Sequence, residues 1–110
     1  MDHLFEKGDY HYALFIGHLV LEKVLKALFV KRVNKIPPFS HSLVLLANKA
    51  DLILDDEQKE FLEIVTDFNI AARYPDQKFK FYKKCTKEFT EPQIRKIKEY
   101  YEWLKSLVTS

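Results

Sequence analysis

The sequence predicts an all-α fold, an up-and-down antiparallel bundle of four main helices with a short N-terminal helix in front. Apolar residues recur at helical spacing in four stretches. Only KFKFY alternates apolar and polar over a strand's length, and it is too isolated to build a sheet. Two Gly and four Pro in 110 residues argue against both a disordered chain and a turn-rich β-sandwich. Short connections then favour antiparallel neighbours.

Met1 to Lys7 allows at most two helical turns before Gly8-Asp9, a turn signal that also offers Asp9 as the N-cap of the next helix. The stretch Tyr10 to Lys31 is the centre of the chain. Ala13, Leu14, Gly17, Leu21, Val24, Leu25 and Leu28 mark one face, and Phe15, Ile16, Leu19, Val20, Ala27, Phe29 and Val30 fill most of the rest. A helix apolar nearly all round is buried nearly all round, which is more than one small bundle needs, so the excess predicts a homodimer across it. One polar stripe remains, His11, His18, Glu22 and Lys26, which meets water or faces something polar.

Pro37-Pro38 forbid helix at Ile36 and predict an extended crossing. Ser40 or Ser42 caps the next helix, with Leu43, Leu46, Ala50 and Ile53 at core spacing. Asp55 with Gln58 forms a capping box for a long helix whose inward face is Phe61, Ile64, Val65, Phe68 and Ala72, and which Pro75 stops near Arg73 or Tyr74. The segment PDQKFKFYKKCTKEF shows no helical period and reads as a basic loop. Thr90 with Gln93 repeats the capping box, Pro92 falls in the first turn, and Ile94, Ile97, Tyr101, Leu104 and Val108 mark the closing helix.

At this length, residues 1–110 form one domain that buries a core without metal or disulfide. Cys85 is the single cysteine, so no intrachain disulfide forms, a Cys-cluster metal site is excluded, and a reducing cytoplasmic setting is expected. The N-terminus lacks a signal-peptide pattern, and no run is apolar enough to span a bilayer. A net charge of +2 does not by itself indicate nucleic-acid binding. There is no P-loop or Gly-rich phosphate cradle, and no cofactor or metal is expected.

The motif Arg73-Tyr74-Pro75-Asp76 resembles the RYPD signature of small stand-alone HEPN domains. Gly8-Asp9-Tyr10, Ala13, Phe15, Glu22-Lys23 and Leu25-Lys26-Ala27 are similar to that family's long second helix, and His41-Ser42-Leu43 to its helix start after a Pro-containing loop. Thr90 to Leu107 resembles its closing helix. The resemblance implies a helical, usually dimeric protein that is often the partner of a minimal nucleotidyltransferase in a two-part toxin–antitoxin module. It also implies nucleotide or RNA binding. Two departures stand out. Ribonuclease members carry an Arg followed, after a spacing of four to six residues, by a His, and here Lys78, Phe79 and Lys80 occupy those positions. The first helix is also shorter than the family's.

Candidate residues come from chemistry as well as resemblance. Arg73 presents a planar fork suited to phosphate, or serves as a structural group that binds helix carbonyls or pairs with Glu22. Asp76 reads as a site residue beside Tyr74 or as a turn residue after Pro75. Lys78, Lys80 and Lys83 alternate with Phe79, Phe81 and Tyr82, the composition that tracks a phosphate backbone and stacks on bases, or that pins a solvated loop to the core. His18, Glu22 and Lys26 form the polar wall of this site. The leading expectation is a non-catalytic or weakly catalytic binding domain. One alternative is a metal-independent ribonuclease in which His41, His18 or His11 works with Arg73 in place of the missing histidine. Another is a purely structural association subunit.

Overall fold

The computed structural model describes the backbone of residues 1–110 and every side chain except that of Pro75. Six helices follow one another: α1 (Asp2–Glu6), α2 (Tyr10–Val33), α3 (Leu43–Lys49), α4 (Asp56–Arg73), α5 (Pro75–Lys84) and α6 (Lys87–Thr109). Among the described residues there is no strand. The all-α expectation holds, and the count of four main helices plus one becomes six.

Every other helix packs on α2. Its buried face is Ala13, Leu14, Gly17, His18, Leu21, Glu22, Val24, Leu25, Leu28 and Phe29. Gly17 is where α6 comes closest, since a Cβ there would lie 2.8 Å from Ile97 Cδ1. At the other end of both helices the Lys31 ammonium donates to the Leu107 carbonyl over 2.9 Å and also reaches the Ser110 carbonyl. Gly17 against Ile97 and Lys31 against Leu107 mean that α2 and α6 run in the same direction. Phe61 against Tyr100 and Phe68 against Phe89 set α4 antiparallel to α6. The simple alternation of antiparallel neighbours is therefore not what the chain adopts. The extended segment at Pro37-Pro38 brings the chain back along α2, so that His41 lies beside Glu22 while Ala50 lies beside Arg32, and α3 restarts in α2's own direction.

Local chemistry explains where helices begin and end. The α4 capping box forms as expected, with Gln58 N–H donating to Asp55 Oδ1 at 2.7 Å and Asp55 N–H donating to Gln58 Oε1 at 2.9 Å. Ser42, not Ser40, caps α3, accepting from Leu45 N–H, while Ser40 Oγ accepts from Ser42 N–H. That helix ends at Lys49, and Asp51 sits just beyond it in the left-handed region at φ 58°. Ile53 therefore falls outside the helix and is 93% exposed rather than in the core. Asp9 occupies the N-cap position of α2, but its side chain makes no capping bond. The turn before it is closed by Gly8 at φ +84°, a conformation that glycine adopts without a Cβ clash.

Two expectations for the C-terminal third are corrected. The segment after Tyr74 is helix α5, not a loop. Proline at its first position, Asp76 in its first turn and Lys83 and Lys84 in its last turn favour it, and one buried ring, Phe81 stacked on Phe68 at 5.6 Å, docks it. Helix α6 starts at Lys87, one turn early, because the Thr86 hydroxyl accepts from Phe89 N–H at 3.1 Å. The Thr90–Gln93 box does not form, and Pro92 lies inside the helix.

The predicted excess of apolar surface on α2 is visible. Tyr12, Ala27 and Val30 are exposed, and Phe15, Ile16, Leu19 and Val20 are half-buried, so positions 12, 16, 19, 23, 27 and 30 trace one stripe along its outer side, apolar except at Lys23.

Candidate functional site

The polar residues of α2 do not form that outer stripe. His18 is fully buried and Glu22 nearly so, and both face the returning loop. His18 Nε2–H donates to the His41 carbonyl at 2.8 Å, and its Nδ1 accepts from Asn69 Nδ2 at 3.3 Å. These partners fix a neutral imidazole, and burial pushes the His18 pKa below its ordinary value, overriding the opposing pull of the His41 carbonyl and Glu22. Of the two possibilities for the stripe, water or a polar partner, the second is realised.

Glu22 then holds the exposed ring of the same residue. His41 Nδ1–H donates to Glu22 Oε1 at 2.7 Å, and Lys26 Nζ donates to Glu22 Oε2 at 3.1 Å. Burial is the largest single influence on Glu22 and opposes its ionisation. The hydrogen bonds and charges of His41 and Lys26 together outweigh it, and the carboxyl is held below its ordinary value. A buried carboxylate orienting an exposed imidazole leaves Nε2 as the outward nitrogen, the geometry by which a histidine accepts or delivers a proton.

The motif residues lie elsewhere, at the junction of α4 and α5. Arg73 is the last residue of α4 and Tyr74 links the two helices, both exposed. Glu22 is engaged by His41 and Lys26, so the structural pairing of Arg73 with Glu22 does not occur. Asp76 sits in the first turn of α5, where a carboxylate complements the helix dipole. Lys78, Lys80 and Lys83 are exposed on α5 together with Phe79 and Tyr82, and only Phe81 turns inward. Lys83 Nζ lies 4.5 Å from the Phe79 ring centroid. The remaining stripe residue, His11, meets Tyr82 edge-on at 5.1 Å and joins Lys78 and Phe79 in a shallow depression. On its other side α5 walls an open cleft of about 450 Å³ over Phe68, Phe81 and Phe89, with Lys80 and Lys84 at the rim.

The site residues thus form two groups. Arg73, Tyr74 and Asp76 lie at the α4–α5 corner with Lys78, Lys80 and Lys83 following along α5, while His18, Glu22, Lys26 and His41 form a network on α2 and its return loop. Asn69, which joins them, is not apparent from the sequence. Its spacing is the available signal, because it lies one turn after Val65, on the buried face of α4. Among the described residues, no group of three His, Cys, Asp or Glu is placed to hold a metal. No helix is long and apolar enough to cross a membrane. Cys85 is buried and its thiol is pushed up to about 11, so it carries no nucleophile at neutral pH.

The chain folds as a small all-helical domain built on one long central helix, with the basic helix α5 following α4. The HEPN domain model matches residues 1–107, and the chain belongs to the HEPN domain family. No curated protein and no solved structure shows significant similarity to it.

Proposed function

We propose that this chain is a single HEPN domain that binds RNA or nucleotides through the α4–α5 corner, without relying on the family's arginine–histidine pair. The observation that carries this reading is the outer side of α5. Lys78, Lys80 and Lys83 stand exposed beside the exposed rings of Tyr74, Phe79 and Tyr82, with Arg73 next to them. Exposed aromatics give every base a stacking partner, and cations spaced between them follow the phosphates. Tyr82 meets His11 along one edge, and the rings of Phe79 and Tyr82 otherwise remain open to solvent. The domain works as a homodimer across the outer stripe of α2, whose half-buried Phe15, Ile16 and Leu19 gain cover only from another chain. Partnership with a minimal nucleotidyltransferase in a toxin–antitoxin pair rests on the family resemblance alone. The test is retardation of labelled RNA by wild-type protein and by the double variant Lys80→Glu/Lys83→Glu. Binding lost in the variant supports the reading; undiminished binding removes α5 from the site.

One observation favours a second reading, a metal-independent ribonuclease. Among the described residues His41, oriented by buried Glu22, is the one histidine presented by a carboxylate with its second nitrogen outward. It would take the proton of a 2′-hydroxyl as that oxygen attacks the adjacent phosphorus and expels the 5′-oxygen, which takes a proton from water and leaves a 2′,3′-cyclic phosphate. His41→Ala protein that cleaves RNA as wild type does excludes it. An association subunit without ligand is the third reading, and it predicts no RNA affinity in any variant.

A further inference from the structure

The loop between α2 and α3 carries the most exposed aromatic ring among the described residues. Phe39 is 99% exposed and Ile36 92% exposed, yet the loop that bears them is anchored by buried polar groups. His18 Nε2–H holds the His41 carbonyl, Glu22 holds the His41 ring, and Pro37-Pro38 restrict the backbone on the other side of Phe39. The Phe39 ring centroid lies 6.3 Å from that of His41. A fully exposed ring on a stiff, anchored stalk is costly in water and gains contact energy when something covers it, a flat base offering the largest face-to-face contact.

The charge of the chain segment that bears it selects the occupant. Between Glu22 and Asp51 the chain contains Lys23, Lys26, Lys31, Arg32, Lys35 and Lys49 and not one acidic residue. Lys26 is paired with Glu22 at 3.1 Å, while Lys31 and Arg32, further along α2, are bound to carbonyl oxygens, which orient their charges without neutralising them. We propose that Phe39 is a stacking platform for an unpaired base of single-stranded RNA, whose phosphates run along the cationic residues of the α2–α3 segment, as a contact separate from the α5 face. This rests on the RNA-binding reading above and extends the RNA path beyond the α4–α5 corner.

Stacking on Phe39 requires an unpaired base, so single strands bind and the duplex of the same sequence does not gain from this contact. The experiment is a fluorescence anisotropy titration of fluorescein-labelled oligouridylate and oligoadenylate, with the matching duplex as comparison. Phe39→Ala is expected to weaken single-strand binding about tenfold, in line with one lost base–aromatic stack, while Phe39→Trp restores it and its added fluorescence is quenched by the RNA. An exposed position makes loss of folding an unneeded explanation, and unchanged thermal melts confirm that. Single-strand affinity unchanged in Phe39→Ala overturns the platform, and if Lys80→Glu/Lys83→Glu still abolishes binding, the α5 reading survives. Full affinity in Phe39→Leu also overturns it, since that variant keeps an apolar contact for a protein partner but no ring to stack. No RNA binding by the wild type overturns both.

Discussion

Glu22 is the residue on which the polar interior depends. It accepts from His41 and Lys26 and lies 4.0 Å from His18 Nδ1, so removing its charge leaves the return loop without its main anchor. Glu22→Ala is expected to destabilise the fold by about 2 kcal/mol in chemical denaturation, the cost of orphaned buried partners. His18 adds a pH dependence with a defined sign. Its folded-state pKa lies below the ordinary 6.5, so the unfolded chain binds the extra proton first. Its contribution is complete above pH 6.5 and is lost as pH falls below that value. Glu22 is also held below its ordinary value of 4.5, and its contribution fades only in more acidic solution. Stability curves at pH 7.5 and 5.5 should therefore differ more for wild type than for His18→Gln; equal differences would deny His18 its neutral buried state. His18 and Glu22 are legible in the sequence as a polar stripe, but their partners are not. His41 and Asn69 reach them from 23 and 51 residues away, and spacing along one helix carries no information about what packs on it.

At the scale of elements, the sequence shows helices whose side chains alternate between core and water, and hides those that do not. The long helices α2 and α4 are legible from apolar periodicity and from Asp55–Gln58. Helix α5 lacks a readable period because it buries only Phe81 and is held by its terminal residues instead. The sequence favours Thr90 as the α6 start because Gln93 completes a capping box and Pro92 suits a first turn, although Thr86 offers the same hydroxyl three residues before the Phe89 N–H. The structure makes opposite predictions for the two threonines. Thr86→Ala loses a cap and is expected to cost about 1 kcal/mol. Thr90 Oγ1 is buried with no partner among the described residues, so Thr90→Val is expected to be neutral or stabilising. Thermal melts that rank the two the other way would place the helix start at Thr90.

For the whole molecule, the outer side of α2 and the outer side of α5 ask for different partners. Ile16 and Leu19 are half-buried in an apolar stripe, and a charge there should break a dimer without unfolding the protomer. Sedimentation of Leu19→Glu as a monomer, with wild-type helicity and a dimeric wild type, is the expected result; a monomeric wild type leaves the stripe without its second copy. The fold class is visible in composition and period, and the direction of α6 is not, because it depends on how far the Pro37-Pro38 segment carries the chain back before α3 begins. Of the candidate site, the sequence displays the residues of the α4–α5 corner but not its separation from the His18–Glu22–His41 network.

RNA binding at the corner built by Arg73 and α5 is tested most directly by an anisotropy titration of single-stranded RNA against wild-type and Arg73→Ala protein at two salt concentrations. Binding is expected to weaken steeply as salt rises and to fall about tenfold further when the Arg73 fork is removed. Affinity that is indifferent to both salt and Arg73 would contradict it.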